Sequence, residues 1–127
     1  MTTVLTYGTF DLLHKGHLNI LEQAKLYGEF LIVGVSTDEF NTLKGKKAII
    51  PYEDRALIVN ALKVVDFVID EHSWEQKLED IKRFKVDVLI MGDDWTGQFD
   101  DLPCRVVYLP RTPNISTEEI IKCIKNI

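Results

Sequence analysis

An α/β domain built on a five-stranded parallel sheet, with helices on both faces, is the architecture the sequence predicts. Three observations carry that expectation. Short apolar runs alternate with amphipathic stretches from end to end, the pattern of repeated strand–helix–strand units. The run FLIVGV, residues 30–35, is continuously apolar, as strands covered on both faces are. The residues with unusual chemistry each follow an apolar run. Ligands of open parallel sheets lie outside the carboxyl ends of the strands, where strand order reverses.

The elements follow in order. Residues 4–7 form the first strand. Residues 17–27 form a helix, with Leu18, Leu21 and Ala24 at helical spacing and Gly28 where a helix C-terminal glycine belongs. Residues 30–35 are the second strand, and the polar, lysine-rich stretch 38–47 is a loop. Pro51 suits the first turn of a helix running to about residue 63. A strand over 65–69, a helix over 74–84 and a strand over 86–91 come next. An irregular loop fills 92–103, a last strand spans 104–109, and a last helix spans 116–124. The crossovers between parallel strands are expected to be right-handed.

With 127 residues, the chain fits one compact domain over 1–127, large enough to bury a core without disulfides or a structural metal. The composition, 46% hydrophobic and 28% charged, is that of an ordinary globular protein. No apolar stretch reaches the roughly 20 residues of a membrane span, so no membrane insertion is expected. The opening MTTVL lacks the basic and long apolar segments of a secretory signal, which points to the cytoplasm. A net charge of −5 argues against nucleic acid as a partner, while leaving room for one small polyanion. Cys104 and Cys123 lack any paired metal or redox spacing and are expected to be free thiols.

Within YGTFDLLHKGH, residues 7–17, two histidines bracket Lys15 and Gly16 where a strand hands over to a helix. Gly16 removes a side chain, so a ligand can come close to the backbone. Free N–H groups and the helix dipole favour an anion there, and His14 and His17 can donate to phosphate oxygens. Ordinary loop histidines, one of them capping a helix, are the competing reading. A zinc site lacks ligands. RTPNIST, residues 111–117, offers a second phosphate clamp: Arg111 can bind phosphate oxygens in pairs, and Ser116 opens the last helix. Ser116 through Glu119 also spells a capping box, which needs no ligand.

Together, GTFDLLHKGH and RTPNISTEEI resemble the paired signatures of the nucleotidyltransferase family that carries the H-x-G-H motif. The likeness extends to its cytidylyltransferases through STDEFN (36–41), YE with Arg55, VD (65–66), WEQK (74–77), MGDDW (91–95) and VVYLPRT (106–112). The resemblance implies a Rossmann-like, doubly wound fold. It also implies a reaction in which CTP and sn-glycerol 3-phosphate give CDP-glycerol and pyrophosphate, feeding teichoic-acid or capsular polymers. A divalent cation, Mg2+, is expected with CTP, with no metal site built by the protein, and a homodimer is expected as the assembly. His14 and His17 become the catalytic pair.

The CTP contacts implied are Thr9, Phe10, His14, Lys15, Gly16, His17, Lys46 and Asp94. Arg111, Thr112, Pro113, Asn114, Ile115, Ser116, Thr117 and Glu118 complete the set. Lys44 and Lys77 correspond to contacts with the acceptor phosphate, although lysines 44, 46 and 47 also suit a solvated loop face. Asp11, for metal or for orienting a histidine, joins Asp38, Arg55, Lys63 and Asp66 as site support or dimer contact. Departures from the family pattern fall at Lys15, Lys63, Asn114 and Glu118. Asn114 can take a left-handed backbone in place of glycine. Glu118 is expected to turn away from the triphosphate or to accept from the ribose.

The chemistry implied needs no strong general base, because a phosphate monoester has its second pKa near 6 and is already anionic. It needs alignment and stabilisation of charge on the α-phosphate oxygens. Three rival functions share these residues: a cytidylyltransferase for phosphoethanolamine, phosphocholine or a polyol phosphate, an adenylyltransferase, and a nucleotide-binding module without turnover. Two acceptor lysines argue against a cationic acceptor, and an intact histidine pair argues against a module without catalysis.

Overall fold

The computed structural model describes residues 1–127. Five strands, β1 (Thr3–Gly8), β2 (Phe30–Ser36), β3 (Phe67–Glu71), β4 (Val88–Gly92) and β5 (Arg105–Leu109), form one sheet in the order β3-β2-β1-β4-β5. All four pairings are parallel. The strands run outward from β1 in one direction through β2 and β3, then in the other through β4 and β5. Strand order therefore reverses between β1 and β4, and a crevice opens at their carboxyl ends. The five helices are α1 (Lys15–Lys25), α2 (Asp38–Leu43), α3 (Tyr52–Asn60), α4 (Gln76–Arg83) and α5 (Thr117–Lys125).

Strand alternation divides the core into two layers. Val4, Leu31, Val33, Val35, Val88 and Ile90 face one side and pack on Leu21 and Ala24 of α1 and Val59 of α3. Leu5, Ile32, Leu89 and Met91 face the other, against Ile81 of α4. Fully burying a Leu, Ile or Val contributes about 1.5–3 kcal/mol, so both layers hold the sheet from which the site is hung. No helix is long and apolar enough to cross a membrane. Cys104 and Cys123 are both free.

The sheet agrees with expectation, and the differences are local. Residues 38–43 form a helix where a loop was expected. Thr37 caps it by accepting from the Phe40 amide at 3.1 Å, and Phe40 is buried. A single buried apolar side chain leaves too little periodicity to read. β3 begins two residues later than expected, because Val65 is buried in a turn, its amide bonded to Leu62. α1 begins two residues earlier, at Lys15, because His14 is its N-cap. Gly28 does not end α1, which is capped at Leu26; a Cβ at Gly28 would lie 2.5 Å from the Thr2 carbonyl oxygen, so glycine lets the β1 and β2 entries approach.

Candidate active site

A cleft of about 520 Å³ lies at the carboxyl ends of β1 and β4, closed by the 109–118 segment and by residues 46–48. Its wall is the β1–α1 turn. Phe10 and Leu12 both hold left-handed backbones, with φ of 55° and 49°, a costly geometry for bulky residues. That geometry buries the Phe10 ring, whose edge meets the His17 ring at 5.5 Å. Phe10 is thus the support under a histidine.

The two histidines orient themselves through their own backbone. The Gly16 amide donates to His14 Nδ1 at 3.0 Å, and the His14 amide donates to His17 Nδ1 at 3.1 Å. The rings stack at 3.8 Å. An Nδ1 that accepts a backbone N–H carries no proton itself, so the neutral tautomer of each ring holds its proton on Nε2. Burial lowers both pKas, that of His17 to about 4, with His14 beside it as the next cause. At neutral pH the site presents two uncharged N–H donors. The Nε2 of His14 lies 3.5 Å from the Thr117 hydroxyl, which donates to the Asp11 carbonyl at 3.0 Å. Gly16 serves this arrangement directly. A Cβ there would sit 2.8 Å from His14 Cε1, so the missing side chain clears the imidazole as well as the cleft.

Asp11 does not touch a histidine. Its buried carboxylate accepts from the amides of Ile49 at 2.8 Å and Ile50 at 3.0 Å, pinning the segment that carries Lys46 and Lys47. Arg55 is fully buried, which removes it from any dimer surface. Its guanidinium donates to the carbonyls of Ile50 (2.7 Å), Thr9 (2.8 Å) and Ser36 (2.7 Å) and to Asp38 Oδ1 (2.7 Å). Asp38 also accepts from the Tyr52 amide, and these contacts hold its carboxyl below the ordinary range. The Thr9 hydroxyl donates to Asn41 at 3.1 Å.

Arg111 pairs with Asp94 across the cleft mouth. Ser116 accepts from the Glu119 amide at 3.1 Å, the cap half of its box, and Asn19 donates to Thr112 at 3.1 Å. Asn114 takes the left-handed backbone, φ 64°, that a glycine would. Glu118 lines the cleft, and its charge opposes the lowering of the His14 pKa by burial, so it does not turn away. Ile115 and Thr117 line the cleft with it. Lys15 is exposed and, like Pro113 and Asn114, lies outside the cleft lining. Lys63 and Asp66 precede β3, at the amino ends of the strands and away from the cleft, where Asp66 pairs with Lys25 and accepts from the Leu31 amide. Neither lines the cleft.

Lys44 and Lys77 meet in a separate recess beside the cleft. Lys77 Nζ lies 3.1 Å from Glu71 Oε2; Lys44 Nζ lies 3.2 Å from the Ser36 hydroxyl and 4.0 Å from Glu71 Oε1. Burial lowers the Lys44 pKa and Glu71 opposes that shift. Glu71, Ser36, Asn41 and Asn19 were not anticipated. Glu71 and Ser36 are the last residues of β3 and β2, so the strand-end rule finds both once β3 is placed in its true register.

Residues 5–123 match the family model described as cytidylyltransferase-like. The chain is 57% identical to a glycerol-3-phosphate cytidylyltransferase of Bacillus subtilis over 122 residues, 94% of this chain and 95% of that one. It is 50% identical to the protein of the same name from Staphylococcus aureus, over 94% of this chain and 92% of that one. Among solved structures, a lipopolysaccharide core biosynthesis protein from Thermoplasma volcanium superposes with a TM-score of 0.72 at 27% identity, covering 88% of this chain and 97% of that one. A pantoate-beta-alanine ligase from Francisella tularensis, 16% identical with a TM-score of 0.60, covering 99% of this chain and 70% of that one, shares the fold.

Proposed function

The chain belongs to the cytidylyltransferase-like family, and from that premise we propose that it transfers a cytidylyl group from CTP to sn-glycerol 3-phosphate. A phosphate oxygen of the acceptor bonds to the α-phosphorus of CTP, the bond from that phosphorus to the β-phosphate oxygen breaks in line, and pyrophosphate leaves with CDP-glycerol as product. The observation that carries the reading is the histidine pair. Its Nδ1 atoms are occupied by backbone amides, which leaves the Nε2 protons of His14 and His17 as fixed donors in the cleft. Preorganised donors of this kind act on charge that develops in the transition state. Arg111 and Lys46 suit the outgoing phosphates. Glu118, facing the cleft, suits a ribose hydroxyl. Lys44 and Lys77 suit the acceptor phosphate, and the relatives named for glycerol 3-phosphate, 57% and 50% identical, support that acceptor.

Magnesium belongs to the proposal as a companion of CTP. No three His, Cys, Asp or Glu side chains gather into a cage. Asp11 is occupied by two amides and Asp94 by Arg111. This donor set fits an ion carried on phosphate oxygens and water, as Mg2+ is commonly bound. Such an ion would neutralise charge on the triphosphate. We further propose a cytoplasmic homodimer that serves teichoic-acid or capsular polymer synthesis; the exposed Leu43, Ile49 and Leu57 are apolar surface that assembly would cover. Light scattering on the purified protein gives its mass in solution.

Pyrophosphate release tests the reaction. It is expected with CTP alone among the nucleoside triphosphates, and only when glycerol 3-phosphate is present. Release with ATP, or with phosphocholine or phosphoethanolamine in its place, overturns it.

A further inference from the structure

We propose that Glu71 is a positioning residue for the acceptor, holding Lys44 and Lys77 charged and side by side as a phosphate cradle between the ends of β2 and β3. This rests on the assignment of those two lysines to the acceptor phosphate.

Four elements converge there. Glu71 closes β3 and is 3% exposed; Ser36 closes β2 and is fully buried. Lys44 caps the end of α2, and Lys77 sits in the first turn of α4. The Ser36 hydroxyl donates to Glu71 Oε1 at 2.6 Å and accepts from Lys44 at 3.2 Å, while Lys77 reaches Oε2 at 3.1 Å. One carboxylate thus fixes both ammonium groups, one directly and one through a hydroxyl. Aromatic rings wall the recess: Phe40 lies 4.6 Å from Lys44 Nζ, and Tyr7 and Trp74 lie 4.7 and 5.1 Å from Lys77 Nζ.

The charge balance makes Glu71 necessary. Burial disfavours the charged form of Lys44, and the like charges of Lys46, Lys77 and Arg55 add to that effect. No other carboxylate pairs with either lysine. Asp80, beneath Lys77, is taken by the Tyr7 hydroxyl at 2.6 Å and by Gln76 at 2.9 Å. Asp38 is taken by Arg55 and Asp70 by His72. Without Glu71, two ammonium groups would face each other in a dry aromatic recess, and the easiest relief is loss of a proton. With it, the recess keeps one net positive charge ready for a phosphate that is a dianion above pH 7.

Steady-state kinetics of Glu71→Gln against pH tests this. In the unaltered protein, KM for glycerol 3-phosphate should stay flat from pH 7.5 to 9. In Glu71→Gln it should be raised about tenfold at pH 8 and climb by up to about tenfold for each further pH unit as an ammonium is lost. The effect should fall on that KM rather than on kcat or on KM for CTP. Glu71→Asp, which keeps the charge, should restore a flatter profile. A Glu71→Gln profile parallel to the unaltered protein overturns the proposal. So does a lowered KM, which would make Glu71 a competitor of the phosphate. If the Gln variant does not fold, the unaltered protein decides: a KM already climbing tenfold between pH 7.5 and 8.5 overturns the proposal, and a flat profile supports it. Lys77→Met separates the two levels of inference. If it leaves the acceptor KM unchanged, the lysine assignment itself fails. If it raises that KM while Glu71→Gln behaves as the unaltered protein, only the role of Glu71 fails.

Discussion

The nucleotide cleft and the lysine recess lie side by side at one sheet edge, yet they are built on opposite electrostatic plans. In the cleft, His14 and His17 are uncharged donors, aimed by backbone amides within three residues of themselves. In the recess, Lys77 is a buried cation and Lys44 a largely covered one, and their partner, Glu71, comes from a distant strand. A neutral donor can be aimed locally, because leaving water costs it little once one nitrogen is paired. A buried charge needs a counter-charge, and only tertiary structure supplies one. Charge that responds to the reaction is therefore kept out of the ground state in the cleft and stored, already compensated, in the recess.

Arg55 ties the two halves together, since one guanidinium nitrogen donates both to the Thr9 carbonyl in the cleft wall and to the Ser36 carbonyl in the recess. Its removal should break the comparison altogether. Arg55→Met leaves the carbonyls of Thr9, Ser36 and Ile50, that of Ser36 buried, without this donor, a loss of about 3–5 kcal/mol in unfolding free energy. Urea denaturation measures it. A loss below about 1 kcal/mol would mean that water replaces the guanidinium, and that the two halves are held independently.

His14→Ala and His17→Ala should come next, each lowering kcat by about 10²–10³-fold, the effect of deleting one preorganised donor. Circular dichroism should show the fold retained. Because both imidazoles are already neutral near pH 7, turnover should not fall as pH rises from 6.5 to 8.5. A decline across that range would show that an imidazolium is needed, and the cleft would then resemble the recess.

The contrast also accounts for what the sequence let one read. The sheet was legible because strand alternation and continuous apolar runs are local properties. The histidines were legible for the same reason, since their orientation depends on Gly16 and on each other. Glu71 was not, because its role depends on β2, β3, α2 and α4 meeting, and because the β3 register was misplaced by the buried Val65. Asp11, expected to serve a metal or a histidine, instead clamps amides almost forty residues away, a pairing that no spacing encodes. Lys63 and Asp66, matched to site support or dimer contact, precede β3 at the amino ends of the strands and do not line the cleft.

A smaller effect concerns stability in acid. The His17 pKa is held near 4 in the folded protein, against an ordinary value of 6.5, because burial disfavours the imidazolium. A group whose folded pKa is depressed contributes stability that is present above 6.5 and is lost as pH falls toward 4. The melting temperature should therefore drop between pH 6.5 and 4, and the drop should be shallower in His17→Ala. Asp38 and Asp66, whose pKas are also held down, lose their contributions only below the ordinary carboxylate value of 3.8, so the two windows separate. Equal slopes in the two proteins would place the acid sensitivity elsewhere.

The smallest expected effect belongs to the one ion pair at the cleft mouth. Arg111 and Asp94 are 71% and 52% exposed in their side chains, unlike the lysine recess, where Glu71 is 5% exposed. Solvent screens an exposed pair, so Asp94→Asn should change unfolding free energy by no more than about 1 kcal/mol. Its consequence should appear in CTP binding, because the carboxylate holds the guanidinium over the cleft. KM for CTP should rise only a few-fold, and the difference from the unaltered protein should shrink at 1 M salt, where screening acts within about 3 Å. The stability cost of Glu71→Gln should be far less sensitive to salt, since mobile ions screen a buried carboxylate much less than an exposed one. Equal salt responses in the two variants would erase the distinction between an exposed, screened ion pair and a buried, compensated one.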